Sequence, residues 1–202
     1  INFAWMLMLL PQGVFAQAVG TAAFPTFAEQ AARQKLQKMQ QTLSATLRGI
    51  FFLSIPATVG LIAVGKPVVS LLFERGAFES ASTDAVAWAL TFFALGLVGH
   101  AGLEIVARAF YALHDTFTPV WVGGLTMGLN VVLSLTLPPV FASARLQPFG
   151  GLALANSIAT LLEFAVLLVL IGRRLNGMQG RRVVRSIVKS SLAALVMGVA
   201  LL

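Results

Sequence analysis

The chain has 202 residues, of which 58% are hydrophobic and only 10% are charged, and its mean hydropathy is +0.89. A water-soluble domain carries about a quarter charged residues, because its surface must be hydrated, so this composition argues against an ordinary soluble enzyme. Cysteine is absent, which excludes a disulfide framework, a thiolate nucleophile and a thiolate metal site. The net charge of +7 would suggest a nucleic acid partner in a soluble protein, but here hydropathy has to be considered first.

Six apolar segments follow one another, each close to the roughly 20 residues that cross a bilayer core as a helix. They are apolar on nearly all sides and lack the strict alternation of a barrel strand. The sequence therefore predicts an all-α polytopic membrane bundle, a single transmembrane lobe over 1–202 with five complete spans and a truncated sixth. Because the chain starts at Ile1 and stops within an apolar run, we expect it to be part of a longer protein. The predicted spans are about 1–27, 49–65, 84–113, 117–139, 149–172 and 187–202.

The basic residues indicate the orientation of these spans. Most of the 14 cations lie in the loops 29–48 and 173–189, and Arg108 lies on the same side. By the positive-inside rule these loops are cytoplasmic, and the first span runs from outside to inside. The cluster at 173–189 is then expected to contact anionic lipids, and a nucleic acid partner is not expected. The cations predicted on the outer side are Lys66, Arg75 and Arg145.

Two shorter segments are predicted to lie at the membrane surfaces. Residues 28–47 combine polar residues with an apolar stripe at helical spacing, which is typical of an amphipathic helix on the cytoplasmic face. Residues 67–73 are apolar but too short to cross the bilayer, so we expect a short outer helix that turns at Gly76. The stripe of the first segment consists of Leu36, Met39, Leu43 and Leu47.

The first span contains a proline and several polar residues at membrane depth. Pro11 frees a backbone carbonyl, which lipid tolerates only where protein or a water-filled cavity satisfies it. Pro11, Gln12 and Gln17 are therefore candidates for lining a substrate pathway, and Asn130 of the fourth span is a fourth candidate. A packed, kinked helix that glycines bring close to its neighbours is the alternative interpretation.

Ionisable residues inside membrane spans are functional candidates, because burying them is costly. In the third span His100, Glu104 and Arg108 follow at intervals of four, which places them on one helical face. Asn156 and Glu163 share a face of the fifth span. These residues could form a proton or ion relay in which His100 or Glu163 titrates. Alternatively, Glu104 and Arg108 form an intrahelical pair and Glu163 binds a neighbouring helix; the sequence leaves both possibilities open.

Patterns typical of enzymes are missing from the sequence. There is no HExxH, no GxSxG, no phosphate-binding glycine loop and no set of histidines and carboxylates at metal-ligand spacing. We therefore expect no catalytic residue, no metal and no cofactor. Kinked apolar helices with sparse charges favour a protein that moves or holds a molecule in the membrane.

Several segments, in order along the chain, resemble one family. The proline-containing stretch NFAWMLMLLPQGVFAQAVGTAAFPTF at 2–27 is followed by LLFERGAF at 71–78, ARAFYALHDTFTPV at 107–120 and GGLALANSIATLLEFAVLLVL at 150–170. Together these segments resemble the C-terminal half of the MurJ (MviN) lipid II flippases, which belong to the MOP exporter superfamily. The resemblance covers essentially the whole chain.

The resemblance implies a transporter of the bacterial cytoplasmic membrane that is built from two pseudosymmetric lobes. Such a protein would move the lipid-linked peptidoglycan precursor, lipid II, to the outer leaflet by alternating access, and so serve cell-wall biogenesis and cell shape. The expected partners are this precursor, membrane lipids and a coupling cation, H+ or Na+.

The chain departs from the family pattern where a pyrophosphate group would need cations. Met6 stands where the family commonly has an arginine, Leu9 stands at a polar position, and Glu104 stands where a basic residue is more usual. Either the other lobe supplies the charge, or the protein exports another polyprenyl-linked glycan or a small molecule. A transport-inactive scaffold that kept the fold is a further alternative.

Overall fold

A computed structural model of the chain describes residues 1–74, 78–175, 177 and 180–201, without the side chains of 180–182 and 201. Within this part every regular element is helical, which confirms the predicted all-α class. Six helices are long and apolar enough to cross a membrane, the first of them being a continuous helix over Asn2–Ala32. The elements are α1 (Asn2–Pro11), a π-helical segment (Gln12–Gln17), α2 (Ala18–Ala32), α3 (Leu36–Phe73), α4 (Ser80–Ala112), α5 (Phe117–Ser143), α6 (Pro148–Arg174) and α7 (Gly180–Leu201).

The proline of the first helix changes the winding of the chain without ending the helix. Pro11 closes α1, and the six residues after it adopt π-helical winding before α2 begins. Proline cannot donate the usual backbone hydrogen bond, and a wider turn is one way in which a helix accommodates such a gap. The first span is therefore continuous from Asn2 to Ala32.

The predicted surface helix over 28–47 is not a separate element. Its first residues close α2, a turn with Gln34 at φ 55° follows, and its remainder forms the first turns of α3. The apolar stripe packs inside the protein instead of facing lipid, because three of its four residues are fully buried in one cluster with Ile50 and Phe51. These three are Met39, Leu43 and Leu47.

The expected short outer helix over 67–73 is likewise continuous with the second span, because α3 runs through Pro56 and Pro67 to Phe73. The turn expected at Gly76, and the outer cation Arg75, lie outside the described residues. The fourth span also continues past Pro138 and Pro139, ending at Ser143. In an apolar environment water cannot replace lost helical hydrogen bonds, so a helix tends to persist through a proline.

Helix α4 is the central element of the bundle and packs against α3, α6 and the first helix. Its contact with α6 depends on glycines: an added Cβ at Gly96 would lie 2.6 Å from Ser157 Oγ, and one at Gly102 would lie 2.6 Å from the Phe164 ring. Small residues let helical backbones approach closely in membranes, where hydrophobic burial does not drive the association of helices.

The turns group the charges at two ends of the bundle. At the first, called the basic end, Gln40 Nε2 donates to Gly177 O at 2.7 Å and Arg174 Nη2 lies 2.7 Å from Asp115 Oδ2. At the opposite end Lys66 Nζ lies 2.7 Å from Asp84 Oδ1. The start of α3, the turn after α4 and the segment that follows α6 therefore lie at the same end.

Candidate functional site

The first helix presents its predicted pathway residues in two environments. Gln12 Oε1 is buried and has no hydrogen-bond partner among the described residues. Gln17 is exposed, and its backbone carbonyl accepts a hydrogen bond from Thr21 Oγ1 at 2.8 Å. Pro11, at the junction with the π-helical segment, is half-buried. Gln12 is thus the side chain of this group with unused hydrogen-bonding capacity inside the fold.

Asn130 lies on α5, which packs mainly against α6. Its Oδ1 accepts a hydrogen bond from Ser134 Oγ at 3.0 Å, one turn further along the same helix. No hydrogen bond in the described part of the chain joins Asn130 to Gln12 or Gln17. The fold therefore leaves the four predicted pathway residues without a polar connection between the two helices.

His100 forms a polar cluster that connects three helices. Its Nε2 lies 3.2 Å from Asn156 Oδ1 and 3.3 Å from Thr160 Oγ1, both on α6. The imidazole also packs edge-on against Trp5 of α1, with ring centroids 5.4 Å apart. Since Asn156 Oδ1 can only accept, this contact assigns the hydrogen to Nε2.

Glu104 and Arg108 form an ion pair on α4. Arg108 Nη1 contacts Glu104 Oε1 and also donates to the Glu104 backbone carbonyl at 3.1 Å. The two side chains are only 27% and 22% exposed. The guanidinium packs against Gly20 of α2, where an added Cβ would lie 2.8 Å from Nη1. Close packing of this arginine therefore depends on glycine at position 20.

Glu163 of α6 is bound by α5. Its Oε2 accepts from Thr126 Oγ1 at 3.0 Å, and its Oε1 lies against Gly123. The Thr126 hydroxyl has a single hydrogen, yet the carbonyls of Val122 and Gly123 also lie within 3.1 Å of Oγ1. The same oxygen can therefore donate to an ionised Glu163 or accept from a protonated one while donating to a carbonyl.

Two neighbouring pockets share part of their lining on α4. A pocket of about 440 Å³ lies between α2 and α4, and a second of about 280 Å³ lies between α4, α5 and α6. They share Glu104, Ala107 and Tyr111. We call the two pockets together the charged groove, because their polar and charged lining residues are Thr21, Glu104, Arg108, Tyr111 and Glu163.

The predicted relay residues therefore fall into separate groups. His100 binds Asn156, Glu104 pairs with Arg108, and Glu163 binds α5; no hydrogen bond among the described residues connects the three groups. Glu104 and Glu163 nevertheless line the same pocket. Glu104 and Glu163 belong to different helices, so their spacing along the sequence could not predict that they share a pocket.

A network at the basic end was not anticipated. Asp115 accepts from the Thr118 backbone N–H at 3.0 Å and from Thr118 Oγ1 at 2.7 Å, and it pairs with Arg174. The Thr118 hydrogen bonds, with the Arg174 charge, hold the pKa of the Asp115 carboxyl below its ordinary value. An aspartate three residues before a threonine at a helix start is a capping signal that could have indicated this contact.

The model of the family described as lipid II flippase MurJ matches residues 1–202 of this chain. The chain belongs to the lipid II flippase MurJ family. A probable lipid II flippase MurJ of Rhizobium meliloti (strain 1021) is 33% identical over 169 residues, which are 82% of this chain and 30% of that protein. A probable lipid II flippase MurJ of Thermotoga maritima is 28% identical over 202 residues, 100% of this chain and 39% of that protein.

The fold is also similar to that of a solved MurJ structure. A lipid II flippase MurJ in an inward closed conformation matches with a TM-score of 0.81 and 26% identity, over 98% of this chain and 39% of that one. The chain spans about a third of the length of the curated MurJ relatives it matches. The charged groove described above lies within this part of the family fold.

Proposed function

We propose that the chain forms one lobe of a flippase that moves the lipid-linked peptidoglycan precursor across the bacterial cytoplasmic membrane by alternating access. The match of the lipid II flippase MurJ family model to the entire chain is the observation that carries this proposal. Six helices that are long and apolar enough to cross a membrane, and the similarity of the fold to a solved MurJ structure, support it. The protein accordingly acts in transport and not in bond chemistry.

Complementation tests this function directly. The full-length protein, carrying an epitope tag, is expressed in cells depleted of their own flippase, and membrane fractionation verifies insertion. We expect restored growth and normal cell shape. Lysis of cells in which the inserted protein is present at normal levels would contradict the proposal.

We further propose that Glu163 binds the coupling cation, H+ or Na+. An ionisable group in a membrane span is costly unless it is used or paired, and no cation pairs with Glu163 among the described residues. Its single hydroxyl partner, Thr126, suits both protonation states, and Glu104 places a second carboxylate on the same pocket. His100 is a weaker candidate, because it does not line the pocket that Glu104 and Glu163 share.

Transport assays with two variants distinguish these residues. Glu163→Gln keeps the shape and the hydrogen bond to Thr126 but removes the charge, and we expect the dependence of transport on pH or Na+ to disappear. His100→Ala serves as the matched comparison and should keep that dependence. An unchanged cation dependence in Glu163→Gln would remove Glu163 from the coupling mechanism.

A further inference from the structure

The charged groove contains one cation among its described lining residues, Arg108. We propose that Arg108 binds the phosphate group of a lipid headgroup, and that the Glu104 carboxylate occupies Arg108 until this headgroup arrives. The inference rests on the proposed function, because a lipid-linked pyrophosphate is the cargo that would bring such a group into the groove.

Arg108 has donors to spare for an incoming anion. Its two hydrogen bonds, to the carboxylate and the backbone carbonyl of Glu104, both use Nη1. No hydrogen bond from the described residues uses Nε or Nη2. A guanidinium binds phosphate through two parallel N–H groups, so a phosphate can first engage the donors that Glu104 leaves free and then replace the carboxylate at Nη1.

The position of Arg108 is defined by packing, which prepares it for binding. Gly20 has no side chain, which leaves room for the guanidinium; an added Cβ there would lie 2.8 Å from Nη1. Thr21 and Tyr111 place hydroxyl-bearing side chains on the same pocket of about 440 Å³. The arginine therefore faces a cavity with polar and aromatic walls instead of extending freely.

Glu104 is suited to act as a replaceable anion. It holds Arg108 through one guanidinium nitrogen, and both side chains retain about a quarter of their exposure. When a phosphate replaces the carboxylate, Arg108 stays neutralised throughout, which avoids the large cost of an unpaired charge in a membrane protein.

Releasing Glu104 also has a consequence for Glu163. Glu104 lines the pocket that Glu163 also lines, so its freed carboxylate would add an unpaired negative charge to this pocket, and such a charge favours binding of a proton or metal cation. Headgroup binding at Arg108 would thereby promote cation binding at the Glu104 and Glu163 pair. The exchange couples an anionic cargo to a cation without a direct contact between them.

Binding measurements on the full-length protein in nanodiscs test the exchange. The probe is a polyprenyl pyrophosphate, measured against a neutral lipid background. We expect Arg108→Gln to weaken binding by about tenfold or more, as charge-assisted bidentate bonds are strong. Glu104→Gln should tighten it several-fold by removing the competing charge. Arg145→Gln, which removes an exposed cation at the opposite end, is the matched control and should bind like the wild type.

Two further variants keep the test informative if Arg108→Gln is unstable. Arg108→Lys preserves the charge but loses the planar fork, so it should bind with intermediate affinity. Gly20→Ala should weaken binding by displacing the guanidinium.

Adding phosphatidylglycerol identifies the source of the phosphate. Competition with the probe means that bulk membrane lipid uses Arg108, and no competition means that the pyrophosphate lipid alone does. Either result supports the phosphate site.

Wild-type affinity in Arg108→Gln, or weaker binding in Glu104→Gln, would overturn the inference. Complementation separates this failure from failure of the proposed function. If the wild type restores growth while Arg108→Gln binds the probe normally, the flippase assignment stands and the exchange is wrong. If the wild type fails to complement while Arg108→Gln loses binding, the site stands and the cargo assignment is wrong.

Discussion

Replacing Gly96 by alanine should loosen the central helix contact of the bundle. The added Cβ would lie 2.6 Å from Ser157 Oγ and 3.0 Å from Ser157 Cα, whereas ordinary contacts are 3.4–4 Å. The hydroxyl can rotate, but in doing so it loses its 2.7 Å hydrogen bond to Phe92 O. The Cα belongs to the backbone, so α4 and α6 must separate by several tenths of an ångström. Overpacking of this kind costs roughly 1–3 kcal/mol.

Gly49→Ala is the matched control, because an added Cβ at this helical position meets no atom within 4 Å beyond its chain neighbours and the backbone of its own helix. Both variants gain the helix propensity of alanine, about 1 kcal/mol over glycine, so the difference between them isolates the packing cost. Thermal unfolding of the detergent-purified full-length protein, followed by tryptophan fluorescence, should rank Gly49→Ala at or above the wild type and Gly96→Ala several degrees below Gly49→Ala. Equal midpoints for the two variants would refute the close packing of α4 on α6.

Two further predictions concern polar clusters at other positions. Thr118 and Arg174 lower the pKa of Asp115 in the folded state. The ionised Asp115 therefore stabilises the fold fully above the ordinary carboxyl pKa of about 3.9, and this stabilisation is lost as pH falls through the lowered pKa of the folded state. The wild-type melting midpoint should therefore fall more steeply than that of Asp115→Asn on acidification below about pH 4; parallel curves would contradict this. His100→Phe leaves Asn156 Oδ1 without its imidazole partner and should destabilise the protein by roughly 1–3 kcal/mol, an effect that chemical denaturation measures and that an unchanged midpoint would rule out.

The fold class could be predicted because lipid restricts the possibilities. Every backbone polar group in a bilayer has to be satisfied within its own segment, so repeated apolar runs of about 20 residues favour helices over other structures. The ends of the helices were harder to predict. We expected helix boundaries near residue 48, near residue 66 and after Pro139, whereas α3 runs without interruption from Leu36 to Phe73 and α5 continues to Ser143. Local signals end a helix only when the surroundings offer its backbone another partner.

The candidate site, like the fold, could be predicted from the sequence only in part. Spacing of four residues was sufficient to predict that Glu104 and Arg108 share a helical face about one turn apart, whereas their ion pair was one of two alternatives. Spacing could not predict that Gly20 supports Arg108 or that Thr126 binds Glu163, because these residues are separated by many positions and lie on different helices.

By itself, the sequence determined an all-helical membrane domain, the placement of Glu104 and Arg108 on one helical face, and the grouping of basic residues toward one side. These properties depend on composition and on periodicity within single helices. The tertiary structure alone decided that α4 lies at the centre, that His100 turns toward α6, and that Glu104 and Glu163 line one pocket. Such relationships depend on how closely each pair of helices can approach, and side-chain size at interfaces such as Gly96 and Ser157 sets that distance.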